Sequence, residues 1–259
     1  IQNQRSDGYL GGDASHFAKI YCHAMATYAI AEAYGMQSDP TIDTGLRAPL
    51  RRAVAWILTM QNPKDGGWRY KEYYPGSNSD MSIFGWQLMA LKSAEIAGLD
   101  VPQRSKDLMI KFLNDRSLGR FKGLAAYRVV EPPLPVSPAM TAEALFSKQM
   151  LGIRRNHPAC GEAIGFLSER LPRLSQTDLY YWYYGTLAMY QYGGEPWERW
   201  NGALRNLLVS TQQTKGHAAG SWDPRGPWGP HGGRVYATAI NALTLEVYYR
   251  YANVFGTSK

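Results

Sequence analysis

The chain has 259 residues, of which 45% are hydrophobic and 19% charged, a composition typical of one large or two small globular domains. Its net charge of +7 is spread over scattered lysines and arginines, so the sequence carries no nucleic-acid-binding signature. No uncharged apolar run reaches the roughly 18 residues that a transmembrane helix needs.

The hydrophobic pattern predicts two kinds of helix that alternate along the chain. Inner helices are apolar nearly all round and are expected to be buried, whereas outer helices are amphipathic. In chain order, starting with an inner helix, the predicted helices are 14–34, 46–61, 80–97, 102–115, 137–151, 156–169, 178–192, 196–213 and 234–252. No alternating strand longer than about four residues is present, so the predicted class is all-α.

Glycines and prolines mark the ends of these helices. Glycine favours the left-handed conformation that closes a helix, and proline favours the start of one. The predicted left-handed caps are Gly35, Gly98, Gly152 and Gly193, and the prolines at helix starts or in linkers are Pro40, Pro102, Pro158 and Pro196.

Two outer helices end in the same way, in a glutamine followed by a glycine-containing loop and a tryptophan. These ends are QNPKDGGW, 61–68, and QQTKGHAAGSW, 212–222. A degraded copy ends in Gly119 and Phe121, and SDGYLGG, 6–12, looks like the tail of such a unit whose helix is lost upstream. Buried helices of this kind need neighbours on both sides, and the irregular spacing favours a ring over an open solenoid.

The stretch RAVAWILTMQNPKDGGW, 52–68, resembles the QW repeat of squalene and oxidosqualene cyclases. Almost the whole chain resembles bacterial prenyltransferase and squalene oxidase repeat proteins. The resemblance implies an α/α toroid of about five helical hairpins, which is a partial ring because a complete toroid of this kind has about six. It also implies that Gln61 binds the start of a neighbouring helix and that Trp68 packs beside it, as a structural clamp.

The catalytic motifs of the resembled families are missing. The cyclases protonate their substrate with a DxDD acid, and here only Asp80 stands near such a position, as a helix cap or as a general acid. Protein prenyltransferases hold zinc with Asp-x-Cys, but Ser82 replaces the thiolate after Asp80. The thioester motif Cys-Gly-Glu-Gln ends in Ala163 here. We therefore expect no metal and no cofactor.

Candidate site residues lie on the inner helices and on the Gly/Pro-rich loop 220–236. His23 is a candidate for proton transfer, with a core histidine as the alternative. For the candidate substrate-binding residues, the alternative is packing in the core or within the loop. They are Trp86, Tyr181, Tyr184, Trp222, Asp223, His231, Arg234 and Tyr236.

The sequence favours a single toroid domain over 1–259, cropped from or part of a longer chain, with no signal that assigns a compartment. Its predicted role is a non-catalytic scaffold or binding module with an aromatic-lined central cavity, whose partner is an apolar or isoprenoid ligand or another protein domain. The first alternative is an enzyme on an isoprenoid or other apolar substrate with Asp80 as general acid. The second is a toroid that binds or degrades polysaccharides, by fold analogy alone.

Overall fold

The computed structural model describes residues 1–15, 17–37, 44–70, 78–128, 130 and 134–250. Of residue 250 it describes the backbone only. The helices in these ranges are α1 (Lys19–Gly35), α2 (Arg47–Met60), α3 (Met81–Ile96), α4 (Gln103–Asp115), α5 (Pro138–Met150), α6 (Pro158–Ser168), α7 (Leu179–Tyr192), α8 (Gly194–Thr211) and α9 (Gly229–Arg250). A short antiparallel pair joins β1 (Ser117–Leu118) to β2 (Leu124–Ala125), with Ser117 opposite Ala125. The all-α prediction is confirmed for the described residues.

Three inner helices begin at a side-chain cap. Asp80 accepts from the backbone N–H of Ile83 at the start of α3, and Asp178 does the same for Tyr181 at the start of α7. Ser137 caps α5. Each cap satisfies an N–H group that the helix itself leaves without a partner, which fixes where the inner helix begins.

The left-handed glycine caps are confirmed at Gly98, Gly152 and Gly193, which have φ values of 86°, 93° and 72°. The cap predicted at Gly35 is wrong. Gly35 is the last residue of α1, and Met36 follows it with a φ of −84°, so the chain leaves this helix without a left-handed residue. Pro40 lies outside the described residues.

The chain forms two compact units. Unit 1 comprises residues 1–116 and 127–134, and unit 2 comprises 117–126 and 135–259, of which the described residues are considered below. In unit 1, α1 packs against both α2 and α3. The α3 side chain of Phe84 stacks on Phe112 of α4 with ring centroids 4.5 Å apart. Apolar rings therefore join the inner helix to the outer helix that follows it.

In unit 2 the inner helices α5, α7 and α9 pack in series, with α7 in the middle. The outer helix α8 lies so close to α7 that a Cβ atom on Gly185 would be 2.3 Å from the Trp200 ring. The middle helix is buried along nearly its whole length, whereas α9 exposes Val235 and Tyr249. Burial of the inner helices is thus greatest where helices cover both sides.

The glutamine and tryptophan that follow α2 act as the predicted clamp. The Gln61 carboxamide donates to the carbonyl oxygens of Gly66 (2.9 Å) and Ser105 (3.2 Å) and accepts from Ser105 Oγ (2.6 Å). Ser105 lies in the first turn of α4, so Gln61 binds the start of a neighbouring helix. Trp68 is fully buried, and its Nε1 donates to the carbonyl of Ile57 at 2.8 Å.

The degraded copy at Gly119 and Phe121 does not form a clamp, because Phe121 is 45% exposed. The Glu162 carboxylate of α6 instead accepts from the backbone N–H groups of Arg120, Phe121 and Gly123, at 2.6 to 3.0 Å. An anionic side chain thus joins this connection to α6.

Candidate functional site

The carboxylate of Asp80 is fully buried at the start of α3 and engaged on both oxygens. Oδ1 accepts from Ser82 Oγ at 2.9 Å and from the Ile83 N–H at 3.1 Å, and Oδ2 forms an ion pair with Arg69 at 2.9 Å. Burial raises the pKa of Asp80, and Ser82 and Arg69 act against that rise. The carboxylate therefore both caps a helix and pairs with a cation.

Tyrosine hydroxyls surround this carboxylate. Tyr21 hydrogen-bonds Ser82 at 2.6 Å, and the hydroxyls of Tyr70 and Tyr127 hydrogen-bond each other at 2.6 Å. Burial, followed by the charge of Asp80, raises the pKa of Tyr21 and of Tyr127. The hydroxyls of Tyr21 and Tyr127 consequently stay protonated at neutral pH, and the cluster is a hydrogen-bonded network around one buried acid.

His23 is a core histidine, in agreement with the alternative stated for it. Its Nδ1 accepts from the Leu10 N–H at 2.9 Å, and its Nε2 lies 3.1 Å from the carbonyl of Ala53. These partners require the neutral tautomer with the proton on Nε2. Burial lowers the pKa of His23 to about 4. Both ring nitrogens are occupied by backbone groups, which leaves neither for a substrate.

The aromatic candidates on the inner helices are core residues. Trp86 is 4% exposed in α3 of unit 1. Tyr181 donates its hydroxyl to the carbonyl of Arg170 at 2.8 Å and meets Trp200 edge to face, with ring centroids 5.4 Å apart. Tyr184 is fully buried among Phe146, Tyr180 and Tyr183. In unit 2, therefore, Tyr181 and Tyr184 hold the helices together.

The loop between α8 and α9 borders a narrow cleft in unit 2, whose interior of about 20 Å³ has room for about one water molecule. Trp222 and Asp223 line it, which places two of the predicted substrate-binding residues at one concave surface. The complete lining is Leu174, Thr177, Leu179, Trp182, Leu207, Leu208, Thr211, Trp222, Asp223, Arg225 and Asn241. Aromatic and aliphatic walls with a few polar groups are the usual lining of a small-molecule site.

The remaining loop candidates lie around this cleft or away from it. Arg234 pairs with Asp223 and donates to Ser221 Oγ at 2.9 Å, so it holds the loop against the first turn of α9. His231 is exposed beside Trp228, with ring centroids 6.1 Å apart. Tyr236 is half-buried, and burial followed by the charge of Asp178 raises its pKa. Arg234, His231 and Tyr236 do not line the cleft.

The sequence did not point to several polar residues that lie near Asp80 or in the cleft beside Trp222. Arg69 and Tyr127 lie in loops with no periodic pattern, and only the fold brings them to Asp80. Asn241 carried a usable signal, because a buried amide in an otherwise apolar helix needs a polar partner or a ligand. Arg225 lies within the Gly/Pro-rich loop that the sequence singled out.

Among the described residues, no group of three or more histidines, cysteines, aspartates or glutamates is arranged to hold a metal ion. In the same part of the chain, no helix has both the length and the apolar character needed to cross a bilayer. A scan against protein-family models finds no match to the chain, and a search of curated proteins finds none either.

Proposed function

We propose that the chain is a non-catalytic scaffold or binding module of the α/α toroid class, of the kind found in prenyltransferase and squalene oxidase repeat proteins. The alternation of buried and amphipathic helices supports this proposal, as does the clamp at Gln61 and Trp68. Gln61 ties the loop after α2 to the start of α4 with a side chain that lies between these elements, which is the construction that a helical scaffold requires.

The observation that carries the non-catalytic role is the state of the Asp80 carboxylate. Its side chain is fully buried, and both oxygens already hold partners. A general acid must reach the substrate atom that it protonates, within hydrogen-bond distance or through one water. Asp80 instead stabilises the start of α3 and neutralises Arg69.

The ligand of the module, on this proposal, binds the cleft beside Trp222. Trp182 and Trp222 supply apolar ring faces, while Asp223, Arg225 and Asn241 supply polar groups. An apolar or isoprenoid molecule would insert only one small end group into this narrow cleft, with the rest of the molecule on the surface around it. Another protein domain that inserts an aromatic or aliphatic side chain matches it equally well, since interfaces use such anchors.

Two enzyme assignments remain as alternatives, each with one favouring observation. The raised pKa of Asp80 favours general acid chemistry on an apolar substrate. The mixed lining of the cleft favours sugar binding, because tryptophan faces and polar side chains together suit carbohydrates.

The test compares wild type with Asp80→Asn and Arg225→Ala. Purified protein is incubated with squalene, with geranylgeranyl diphosphate and with a panel of polysaccharides, and products are sought by mass spectrometry. We expect no product from any of these compounds. We also expect wild type to bind one class of them, and Arg225→Ala to weaken that binding. Product formed by wild type and lost in Asp80→Asn would overturn the scaffold role in favour of the enzyme.

A further inference from the structure

The loop that follows Gln61 has two counterparts of different length that are closed by the same pair of backbone hydrogen bonds. In each copy a glycine with positive φ donates its backbone N–H to the carbonyl of the residue that follows the glutamine. The backbone N–H of that residue in turn donates to the carbonyl of the residue that follows the glycine. These pairs are Gly8 N to Arg5 O with Arg5 N to Tyr9 O, Gly66 N to Asn62 O with Asn62 N to Gly67 O, and Gly220 N to Gln213 O with Gln213 N to Ser221 O. The glycine φ values are 95°, 86° and 82°.

The glutamine side chain is also equivalent in the three copies. Gln4, Gln61 and Gln212 each donate from Nε2 to the carbonyl of the loop glycine, at 2.9 Å. The first of these loops, from Gln4 to Tyr9, overlaps the segment 6–12 that the sequence singled out. Loop and glutamine together form a surface that we call the cradle.

In the first two copies a helix occupies the cradle. Gln61 binds the carbonyl of Ser105 in the first turn of α4, and a Cβ atom on Gly66 would lie 2.0 Å from the carbonyl oxygen of Leu108. The three-residue step from Ser105 to Leu108 is one helical turn. The helix therefore rests on the glutamine with its first turn and on the glycine with its second.

The N-terminal copy repeats this arrangement with α2. Gln4 donates to the carbonyl of Pro49 at 2.9 Å, and a Cβ atom on Gly8 would lie 2.3 Å from the carbonyl oxygen of Arg52. The helix in each cradle also donates a hydrogen bond to the Oε1 atom of the glutamine. Ser105 Oγ donates to Gln61 at 2.6 Å, and Arg52 Nη2 donates to Gln4 at 2.7 Å.

In the third copy the cradle is open. Gly8 and Gly66 are buried, whereas Gly220 is exposed and no described residue lies within 4 Å of the place where its Cβ would be. Among the described residues, the side chain of Gln212 has Gly220 as its hydrogen-bond partner and nothing donates to its Oε1.

We propose that the Gln212–Gly220 cradle binds the N-terminal two turns of an amphipathic α-helix from a protein partner. The two occupied cradles specify what fits. The helix offers Gln212 the second lone pair of a carbonyl oxygen in its first turn, places a carbonyl one turn later against Gly220, and donates a serine hydroxyl or an arginine guanidinium to the Oε1 of Gln212. This inference rests on the proposed scaffold role and names one partner surface of that scaffold.

The probe is the protein's own α4 segment, residues 101–116, synthesised as a fluorescent peptide with a side-chain staple on its exposed face to hold it helical. Binding to the whole chain is followed by fluorescence anisotropy. We expect saturable binding that Gly220→Asn and Gln212→Ala each weaken at least tenfold. Asparagine tolerates positive φ, so Gly220→Asn blocks the cradle with little backbone strain. A peptide with Ser105→Ala binds several-fold more weakly.

The matched control is Gly216→Asn, in the same loop. Gly216 also has positive φ, at 66°, and open space around its Cβ position, but it is not the loop glycine that faces the helix carbonyl in the occupied cradles. Equal binding by wild type and Gly220→Asn, or no binding by wild type, overturns the proposal. If Gly220→Asn does not fold, Gln212→Ala decides. Wild type could also self-associate in a way that Gly220→Asn abolishes. That result would identify the helix in the cradle as part of a second copy of the chain and would overturn the proposal of a separate protein partner. None of these results alters the product assay with Asp80→Asn, which tests the scaffold role separately.

Discussion

At the scale of single residues, Asp80 shows how burial and pairing oppose each other. Removing the carboxylate from water raises its pKa, and the ion pair with Arg69 and the hydrogen bond from Ser82 lower it. Arg69 keeps about a quarter of its side chain exposed, so water is available to it when the partner is removed. The helix cap and the ion pair are therefore separable contributions to stability.

Asp80→Asn and Asp80→Ala separate these contributions. Asparagine still caps α3 but leaves Arg69 unpaired, and we expect it to lower the free energy of unfolding by about 2 kcal/mol. Alanine removes the cap as well, for a further loss of about 1 kcal/mol. Urea denaturation followed by circular dichroism measures both values. Equal stability of the two variants would contradict the capping role.

His23 makes the stability depend on pH. Its pKa is about 4 in the folded protein and near 6.5 in the unfolded chain, so between these values the unfolded state binds more protons. This contribution is complete above pH 6.5 and is lost as the pH falls towards 4, up to about 3 kcal/mol in all.

We therefore expect wild type to lose more unfolding free energy than His23→Gln when the pH is lowered from 7 to 5. Glutamine keeps a hydrogen-bonding side chain but does not titrate, so the difference between the two pH slopes isolates His23. Urea denaturation at a series of pH values gives both slopes. Parallel slopes would show that the histidine is protonated in the folded state as readily as in the unfolded one.

At the scale of elements, the cradle glycines test how outer helices are seated. Gly66 and Gly220 close their loops with the same pair of backbone hydrogen bonds and have nearly the same φ, but only Gly66 faces a helix carbonyl. Alanine at either position introduces the left-handed strain of about 1 to 2 kcal/mol. At Gly66 it also displaces α4.

We expect Gly66→Ala to reduce the free energy of unfolding by at least about 2 kcal/mol more than Gly220→Ala does. Thermal and urea denaturation of the two variants give the difference, and the shared backbone strain cancels in it. If the two variants were equally stable, contact between Gly66 and α4 would contribute nothing to the fold.

The sequence predicted the elements well because their determinants are local. Helix periodicity, the cap at Asp80, and the glycine loop after Gln61 each depend on neighbouring residues. Phe121 shows the limit, because its ring is exposed and the backbone of its loop donates to Glu162 of α6. Only the structure could reveal that contact, since the two residues lie in different elements.

At the scale of the whole molecule, the candidate site was predicted only in part. Trp222 and Asp223 were placed at a concave surface because a long loop with tryptophans stood out in the sequence. Tyr181 and Tyr184 proved to be core residues, because an aromatic helix gives the same pattern whether it lines a cavity or packs against neighbours. Tertiary contacts distinguish the two cases, and composition does not.

The series of helices in unit 2 also determines where the protein opens first. α7 is covered by α5 on one side and α9 on the other, whereas α9 exposes Val235 and Tyr249, each 83% accessible. In a stack whose helices contact mainly their neighbours, a helix covered on one side opens with a smaller free energy than one covered on both.

We expect amides in α9 to exchange with solvent deuterium at least tenfold faster than those in α7, which corresponds to a difference of about 1.4 kcal/mol in the free energy of opening. Hydrogen–deuterium exchange with peptide-level mass spectrometry measures both helices in one sample, and α5, buried like α7, serves as the internal reference. Protection of α9 equal to that of α7 would mean that unit 2 opens as a single cooperative block, and the description of its helices as a series with one open side would be wrong.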